Sequence, residues 1–365
     1  MKNVQPILRS RSRRRLAFVL PVIAAMIAPW ALAQTPPRAG NAEIYDYQGP
    51  DRSARLVERA KQEGSVVLYT TMNLKDSGPL TDAFEKKYGV KVTLWRSSSE
   101  KVVQRAVAEA RAGRHTFDVA ETNSPELEQL VREKILAPFW SPALADLPPQ
   151  ALPKHRQFAP DRFNFFVIGY NTNLVPPGEV PNTYDDLLQP RWMGRIGIEA
   201  NDVDWFASLV KAMGETKGLE YFRRLAALRP QMRTGHSLMG ELVASGEIPL
   251  AASIYNHDIQ RLISKGAPVA WKALEPTFGR ASGISVSRNA PHPHAALLFV
   301  DFVLSRDGQE IIRAHERAPS NLTVESPLNK LRFQLIDPGI LLDEGDKWEK
   351  LWTTLFLKPP KKEGG

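Results

Sequence analysis

The stretch GSVVLYTTMN at residues 64–73 decides the fold class, because a short β-branched run is followed by a polar loop. The apolar part, residues 66–69, is too short for a buried helix and is typical of a buried strand. An amphipathic helix is predicted just before it, over residues 53–62. A second helix is predicted to begin at Pro79 and to end at Gly89. The order of helix, strand, loop and helix indicates a βαβ unit of an α/β protein.

The same alternation continues along the rest of the chain. Further strands are predicted at residues 90–94, 117–120, 195–199, 249–254 and 267–272. Helices are predicted at residues 203–213, 218–228, 237–244, 258–264, 294–304 and 308–315, and two more begin after a capping box at residues 97–100 and at Ser124. Strands that alternate with helices of this length form parallel βαβ units, so the predicted fold class is α/β with open sheets.

The basic charge of the chain is concentrated at its N-terminus. The 365 residues carry a formal net charge of +8. Residues 1–33 contribute six of the positive charges and contain no acidic residue, so the remainder carries only +2. A basic stretch followed by the apolar run 16–33, which ends on small residues, is typical of a signal peptide cleaved after Ala33. The run holds two prolines and is short for a membrane anchor, which is the alternative interpretation.

These features predict a protein exported to the periplasm. The arginines at residues 13–15 are compatible with a twin-arginine signal and also with a general secretory leader, and both routes stay open. The chain contains no cysteine, so its core must stabilise it without disulfides. A nearly neutral exported chain also argues against nucleic acid as a partner.

The exported chain is too long for one hydrophobic core, so two lobes of roughly 150 residues are expected. Two long extended runs, residues 163–170 and 282–287, are predicted to cross between the lobes. The predicted division is an N-terminal lobe of residues 34–165 and 286–330, a C-terminal lobe of residues 166–285 and 331–357, and a disordered tail at residues 358–365. Ligands bind at the carboxyl ends of strands in open α/β sheets, so a ligand cleft is expected between two such edges.

Several stretches, in the same order along the chain, resemble a known family. They are AKQEGSVVLY at residues 60–69, FEKKYGVKV at 84–92, GEIPLA at 246–251, YNH at 255–257, KGAPV at 265–269 and NAPHP at 289–293. Together they resemble the periplasmic solute-binding proteins of the ferric-iron type. The resemblance implies a two-lobed, type II-like periplasmic binding protein fold with two hinge crossovers. It also implies a substrate-binding component that delivers a small solute to an ABC permease in the inner membrane.

The resemblance further implies where iron-binding members place their metal ligands. Their adjacent tyrosines correspond to Asn256 and His257, with a single Tyr255 just before them. A histidine ligand of the first βα loop corresponds to Asn73, and a glutamate ligand falls near Asn123. Ferric ions need anionic oxygen ligands, which amides do not supply. We therefore expect a small organic or phosphorylated anion as the solute, keep Fe(III) as the alternative, and assign no metal ligand and no cofactor.

The candidate ligand-binding residues lie at predicted strand ends and helix starts. They are Thr71, Asn73, Thr122, Asn123, Asp204, Trp205, Ser237, Tyr255, Asn256 and His257. Free N–H groups at helix N-termini favour anions, which supports this choice. Ser, Thr and Asn are also ordinary helix caps, and Trp205 is equally compatible with a place in the hydrophobic core.

The sequence contains none of the catalytic motifs considered below in complete form. The segment GHSLMG at residues 235–240 is one residue too long for a nucleophile elbow. The sequence holds no HExxH, no phosphate-binding loop and no GxGxxG. We therefore expect a monomeric binding protein and not an enzyme, with a secreted hydrolase as a remote alternative.

Overall fold

The computed structural model describes residues 41–357, so the predicted signal peptide and C-terminal tail lie outside the described residues. The helices are α1 (Ala42–Tyr45), α2 (Arg52–Glu63), α3 (Leu74–Tyr88), α4 (Ser99–Arg111), α5 (Ser124–Arg132), α6 (Val203–Met213), α7 (Glu215–Ala227), α8 (His236–Ser245), α9 (Asn256–Ile263), α10 (Pro293–Leu304), α11 (Arg306–Ala314) and α12 (Ile340–Trp352). The strands are β1 (Ser65–Thr70), β2 (Lys91–Arg96), β3 (Val119–Asn123), β4 (Leu136–Ala137), β5 (Ala159–Asn171), β6 (Ile196–Glu199), β7 (Gln231–Arg233), β8 (Leu250–Tyr255), β9 (Val269–Lys272), β10 (Phe278–Ser287), β11 (Ala318–Pro319) and β12 (Gln334–Leu335).

The main strands form one continuous sheet in the order β2-β1-β3-β10-β5-β8-β6-β7. Strands β1, β2 and β3 are parallel at one end, and β6, β7 and β8 are parallel at the other. Between them, β5 and β10 pair antiparallel with each other. The predicted α/β class is confirmed. The two expected sheets are nevertheless continuous, because the two long strands that cross between them are hydrogen-bonded neighbours.

Separate hydrophobic clusters pack at the two ends of the sheet. We call the part built on β1–β3 and α2–α5 the first lobe, and the part built on β6–β8 and α6–α9 the second lobe. In the first lobe, Phe84 of α3 meets Phe299 of α10 edge to face, with ring centroids 5.0 Å apart. In the second lobe, Phe206 of α6 lies at the centre of an aromatic cluster. The exact lobe boundaries given above stay a prediction.

The C-terminal helix α12 packs on the second lobe. Trp348 and Trp352 are both buried and contact Phe206, with ring centroids 5.9 Å and 5.4 Å away. The indole N–H of Trp352 donates a 2.7 Å hydrogen bond to the carbonyl of Ala200, in the loop after β6. This helix therefore supports a loop that contributes to the cavity described below.

The predicted starts of two helices, α3 and α4, are wrong. Helix α3 begins at Leu74, after Asn73 in extended conformation, and Pro79 lies inside it. The first turn went unrecognised because its buried residues, Asp76 and Ser77, are polar and the partners of Asp76 are distant in sequence. The capping box is out of register, because Ser98 is the N-cap and Glu100 is therefore the second residue of α4 instead of the third.

Between residues 41 and 357, no helix has both the length and the apolar character needed to cross a membrane.

Candidate functional site

A polar cavity of about 550 Å³ lies where the carboxyl ends of strands from both lobes meet. The first lobe contributes the segment after β1, the end of β2 and the end of β3, and the second lobe contributes the segments after β6, β7 and β8. Arg162 and Asn164, in the first half of β5, and Arg280, near the start of β10, also line it. This is the place where the sheet topology predicts a ligand cleft.

Six of the ten predicted ligand residues line this cavity. They are Thr71, Asn73, Asn123, Ser237, Tyr255 and His257. They come from four segments widely separated in sequence, which the sheet brings to one edge.

The other four predicted residues do not line it, and each has a physical reason. Thr122 is fully buried, because side chains alternate along β3 and its neighbour Asn123 takes the cavity-facing position. Trp205 is core, stacked against Phe166 in the second lobe. Asn256 is buried and accepts a 3.2 Å hydrogen bond from the N–H of Phe165. Asp204 lines a neighbouring cavity of about 520 Å³ and is bound to an arginine.

The turn before α8 places two polar residues at the cavity. Gly235 has a φ of 104°, which a residue with a side chain adopts only under strain. Its N–H donates a 2.7 Å hydrogen bond to Oε1 of Glu199, at the end of β6. His236 and Ser237 follow as the first residues of α8, and the hydroxyl of Ser237 donates to Asp258 at 2.9 Å.

Sequence reasoning missed the arginines of the cavity, which are Arg96, Arg162, Arg280 and Arg317. Arg162 and Arg280 are charged residues inside long, largely apolar strands. That combination was a usable signal, because a charge in a buried strand must be paired or functional. The predicted extended runs began one residue after Arg162 and two residues after Arg280, so neither arginine was considered.

Arg162 of β5 is satisfied by two carboxylates. Its Nη1 lies 2.7 Å from Oε1 of Glu121 and 2.9 Å from Oδ2 of Asp161. Burial raises the pKa of Asp161, and the adjacent Arg162 opposes that rise. The second oxygen of Glu121 accepts from the N–H of Met72 at 3.1 Å. Arg162 therefore ties β5 to β3 and has little charge left for a ligand.

Arg280 of β10 holds the phenol of Tyr255. Its Nε donates to Oδ2 of Asp204 at 2.6 Å, its Nη2 donates to Oδ1, and its Nη1 donates to the hydroxyl oxygen of Tyr255. The guanidinium lies 5.0 Å from the ring centroid of Phe166. Burial raises the pKa of Tyr255 well above its ordinary value, although Arg280 opposes this. The phenol is consequently protonated, so a ferric ion would have to displace both its proton and its contact with Arg280 to bind it.

Arg317 and Arg261 share one carboxylate. Nε and Nη2 of Arg317 lie 3.0 Å and 2.6 Å from Oδ2 of Asp76, and Nη2 of Arg261 donates to Oδ1. Nη1 of Arg317 also contacts Nε2 of His257. Because arginine can only donate, Nε2 must accept, and the ring hydrogen lies on Nδ1. Burial, and secondly Arg317, hold the pKa of His257 well below its ordinary range, so His257 is neutral and the cluster keeps a net positive charge.

Arg96 differs from the other cavity arginines because it forms no ion pair with any residue between 41 and 357. Its Nε donates to the carbonyl of Met72 at 3.0 Å, and its Nη2 donates to Oδ1 of Asn73 at 2.9 Å. These neutral acceptors orient the guanidinium without cancelling its charge. Arg96 is exposed at the cavity and has donors left for a ligand.

The raised pKa of Glu126 should make the folding stability of the protein depend on pH. Its Oε2 is buried without a hydrogen-bond partner among the described residues, and burial raises its pKa from 4.5 to about 7. A raised carboxyl pKa means that the folded state binds the extra proton, so stability falls as pH rises from 4.5 to 7. Glu126→Gln removes this cost of up to about 3 kcal/mol. We expect the variant to unfold at higher temperature than wild type at pH 8, and at nearly the same temperature at pH 5.

The control for this prediction is Glu133→Gln at the exposed end of α5, which removes the same charge without a burial cost. Calorimetric unfolding of the three proteins at both pH values checks it. An equal gain from both substitutions at pH 8 would attribute the effect to net charge and contradict the assignment to Glu126.

Comparison with known proteins identifies the family. Residues 118–333 match the family model for bacterial extracellular solute-binding protein. A Fe(3+)-binding periplasmic protein of Serratia marcescens is 24% identical over 268 residues, which cover 71% of this chain and 79% of that protein. Among solved structures, iron-bound HitA from Pseudomonas aeruginosa has a TM-score of 0.70 at 21% identity, and covers 80% of this chain and 99% of its own. AfuA from Actinobacillus pleuropneumoniae with bound fructose-6-phosphate has a TM-score of 0.70 at 23% identity, and covers 81% and 99%.

These neighbours are periplasmic binding proteins, so the two-lobed fold expected from the sequence is confirmed. The matched family is made of transport binding proteins and not of enzymes. The chain belongs to the bacterial extracellular solute-binding proteins, and it is the substrate-binding component of an ABC importer.

Proposed function

We propose that the protein binds a small organic or phosphorylated anion in the cavity between its lobes and delivers it to the permease. The observation that carries this proposal is Arg96, which projects its charge into the cavity without a carboxylate partner among the described residues. A guanidinium with free donors is a suitable partner for a carboxylate or phosphate group.

Three helix N-termini of the first lobe support the same conclusion. Asn73, Ser98 and Asn123 are the N-caps of α3, α4 and α5, and all three line the cavity. None of the three forms a side-chain capping hydrogen bond. Backbone N–H groups in the first turns are therefore left for a bound anion, and the helix dipoles favour negative charge at this wall.

Ferric iron is the second candidate, and similarity to iron-binding relatives is the observation in its favour. The donors at the corresponding positions fit it poorly. The amide oxygen of Asn73 accepts from Arg96, Asn256 is buried, and Nε2 of His257 is occupied by Arg317. The guanidinium groups of Arg96 and Arg317, which contact Asn73 and His257, would also repel a trivalent cation at these positions. The fructose-6-phosphate bound to AfuA shows that a protein of this fold can hold a phosphorylated solute.

We propose that the chain works as a periplasmic monomer after removal of residues 1–33. The lobes would close on the ligand by bending of β5 and β10, since these long strands connect them. Closure would present both lobes to the permease of the inner membrane.

Titration calorimetry distinguishes the two solutes. The metal-free exported chain is titrated separately with inorganic phosphate, fructose-6-phosphate, citrate and ferric nitrilotriacetate. We expect saturable binding of at least one of the iron-free anions, and no visible tyrosinate charge-transfer band with iron, because Tyr255 is a protonated phenol beside Arg280. Tight ferric binding with that band, together with no binding of the three iron-free anions, would overturn the proposal.

A further inference from the structure

Three metal-type donors converge on the second-lobe side of the cavity. Glu199 ends β6, Asp202 lies in the loop before α6, and His236 begins α8. One ligand atom from each residue lies within 4.8 Å of the others. A metal ion with bonds of about 2.1 Å needs donor atoms about 3.4 Å apart in tetrahedral geometry. Side-chain rotations that move the donor atoms by about 1 Å would bring them to this separation.

Asp202 gives an independent indication of a missing partner. Its side chain is only 1% exposed, and neither carboxylate oxygen accepts a hydrogen bond from any described residue. The nearest guanidinium nitrogen, Nη2 of Arg280, is 3.7 Å from Oδ1 and is already hydrogen-bonded to Asp204. A buried carboxylate without donors costs several kcal/mol, so such a group is normally paired or coordinated.

Helix capping and loop structure do not explain why the carboxylate of Asp202 is buried. It is the N-cap of α6, but its side chain makes no capping hydrogen bond. The loop itself is shaped by Glu199, whose oxygens accept from the N–H groups of Gly235 at 2.7 Å and Asn201 at 2.6 Å. These bonds hold the Glu199 carboxylate in place and leave lone pairs on both oxygens.

His236 is oriented toward the same point. Its Nε2 lies 3.1 Å from Oδ1 of Asp202, which is ion-pair distance for a protonated ring, and its Nδ1 has no partner among the described residues. The ring stacks on Tyr255 with centroids 3.8 Å apart, which fixes its plane. A protonated imidazole accounts for this contact in the metal-free protein, and a bound metal ion would take the place of that proton.

We propose that Glu199, Asp202 and His236 bind a divalent first-row transition-metal ion such as Zn²⁺, with the remaining coordination positions open to the cavity. One imidazole nitrogen and two carboxylates suit such an ion in ligand type, and its charge balances the two carboxylates. These residues differ from the positions to which the iron-binding ligands of the family correspond. The bound ion would also offer a positive centre opposite Arg96, but the site does not depend on the proposed anion.

Cobalt titration tests this site with the metal alone. The metal-free exported chain is titrated with Co²⁺ and followed by calorimetry and by the visible d–d absorption, with Zn²⁺ as competitor. We expect one site per chain, displacement of Co²⁺ by Zn²⁺, and at least tenfold weaker binding in Asp202→Asn and in His236→Gln. The d–d bands of any residual complex in His236→Gln should also change, because a nitrogen ligand is lost.

Glu241→Gln is the matched control, because it removes one exposed acidic group from the helix that carries His236 without removing a proposed ligand. We expect it to change the Co²⁺ affinity less than threefold. Circular dichroism verifies that each variant folds. If Asp202→Asn does not fold, the comparison of wild type with His236→Gln tests the site. Absence of a saturable Co²⁺ site, or equal losses in all three variants, would overturn the proposal. Because no anion is present in this titration, neither result decides whether the protein binds an anion, which the separate anion titrations measure.

Discussion

Arg96→Met is expected to weaken binding of the anionic solute by about ten- to a hundredfold. A charge-assisted hydrogen bond contributes about 1.5–3 kcal/mol, and each 1.4 kcal/mol is a factor of ten in affinity. Arg96 has no carboxylate partner among the described residues, so its loss leaves no buried acid unpaired. Folding stability should therefore change little, and the effect should be confined to binding.

The measurement is calorimetric titration of wild type and variants with whichever of phosphate, fructose-6-phosphate or citrate binds wild type. Arg223→Met is the charge-matched control, since Arg223 is exposed on α7 and, within residues 41–357, forms an ion pair only with Glu220 at 3.4 Å. Arg96→Lys should bind with intermediate affinity, because lysine keeps the charge and loses the planar guanidinium fork. Equal affinity of wild type and Arg96→Met would show that the negative group of the solute is held elsewhere.

The sequence was informative wherever local pattern decides structure. Helix α6 was predicted with both ends as observed, since an apolar face begins after Asp202 and Gly214 follows its last residue. Strand β8 and the polar residues after it were placed within one or two residues, and Tyr255 and His257, which follow from that placement, line the cavity. These features depend on neighbours within one or two turns of chain.

Contacts between residues far apart in the chain could not be predicted from the sequence. Asp76 and Arg317 are 241 residues apart, and only the fold brings them together. The first turn of α3 looked like a polar loop because the reason for burying Asp76 lies in that distant partner. Trp205 and Asn256 were assigned to the site because both flank strand ends, but local pattern does not show which side of an element faces the core. Pairing between β5 and β10 likewise determined which arginines reach the cavity.

Asp76→Asn is expected to destabilise the protein by about 3–5 kcal/mol at pH 7, because it leaves buried guanidinium charge without a counterion. Asp76 is 5% exposed and Arg317 is 6% exposed, so solvent can replace the lost carboxylate only poorly. Burial opposes ionisation of Asp76, but Arg317 and Arg261 outweigh it and lower its pKa. A lowered carboxyl pKa gives stability that is present above the ordinary value of 3.8 and is lost as pH falls through the folded value. The difference between variant and wild type should therefore shrink in acid.

Urea unfolding at pH 7 and at pH 3 measures this difference, with Asp82→Asn as the control on the exposed face of α3. Arg261 extends from α9 of the second lobe to Asp76 of the first lobe, so the lost contact should also loosen the two lobes. Small-angle scattering of the ligand-free variant should then give a larger radius of gyration than wild type. Adding Arg261→Met to Asp76→Asn removes one of the two unpaired charges and should recover part of the stability. If Asp76→Asn unfolds at the same urea concentration as Asp82→Asn, the cluster does not stabilise the fold, and the positive charge at this wall must be compensated by another group.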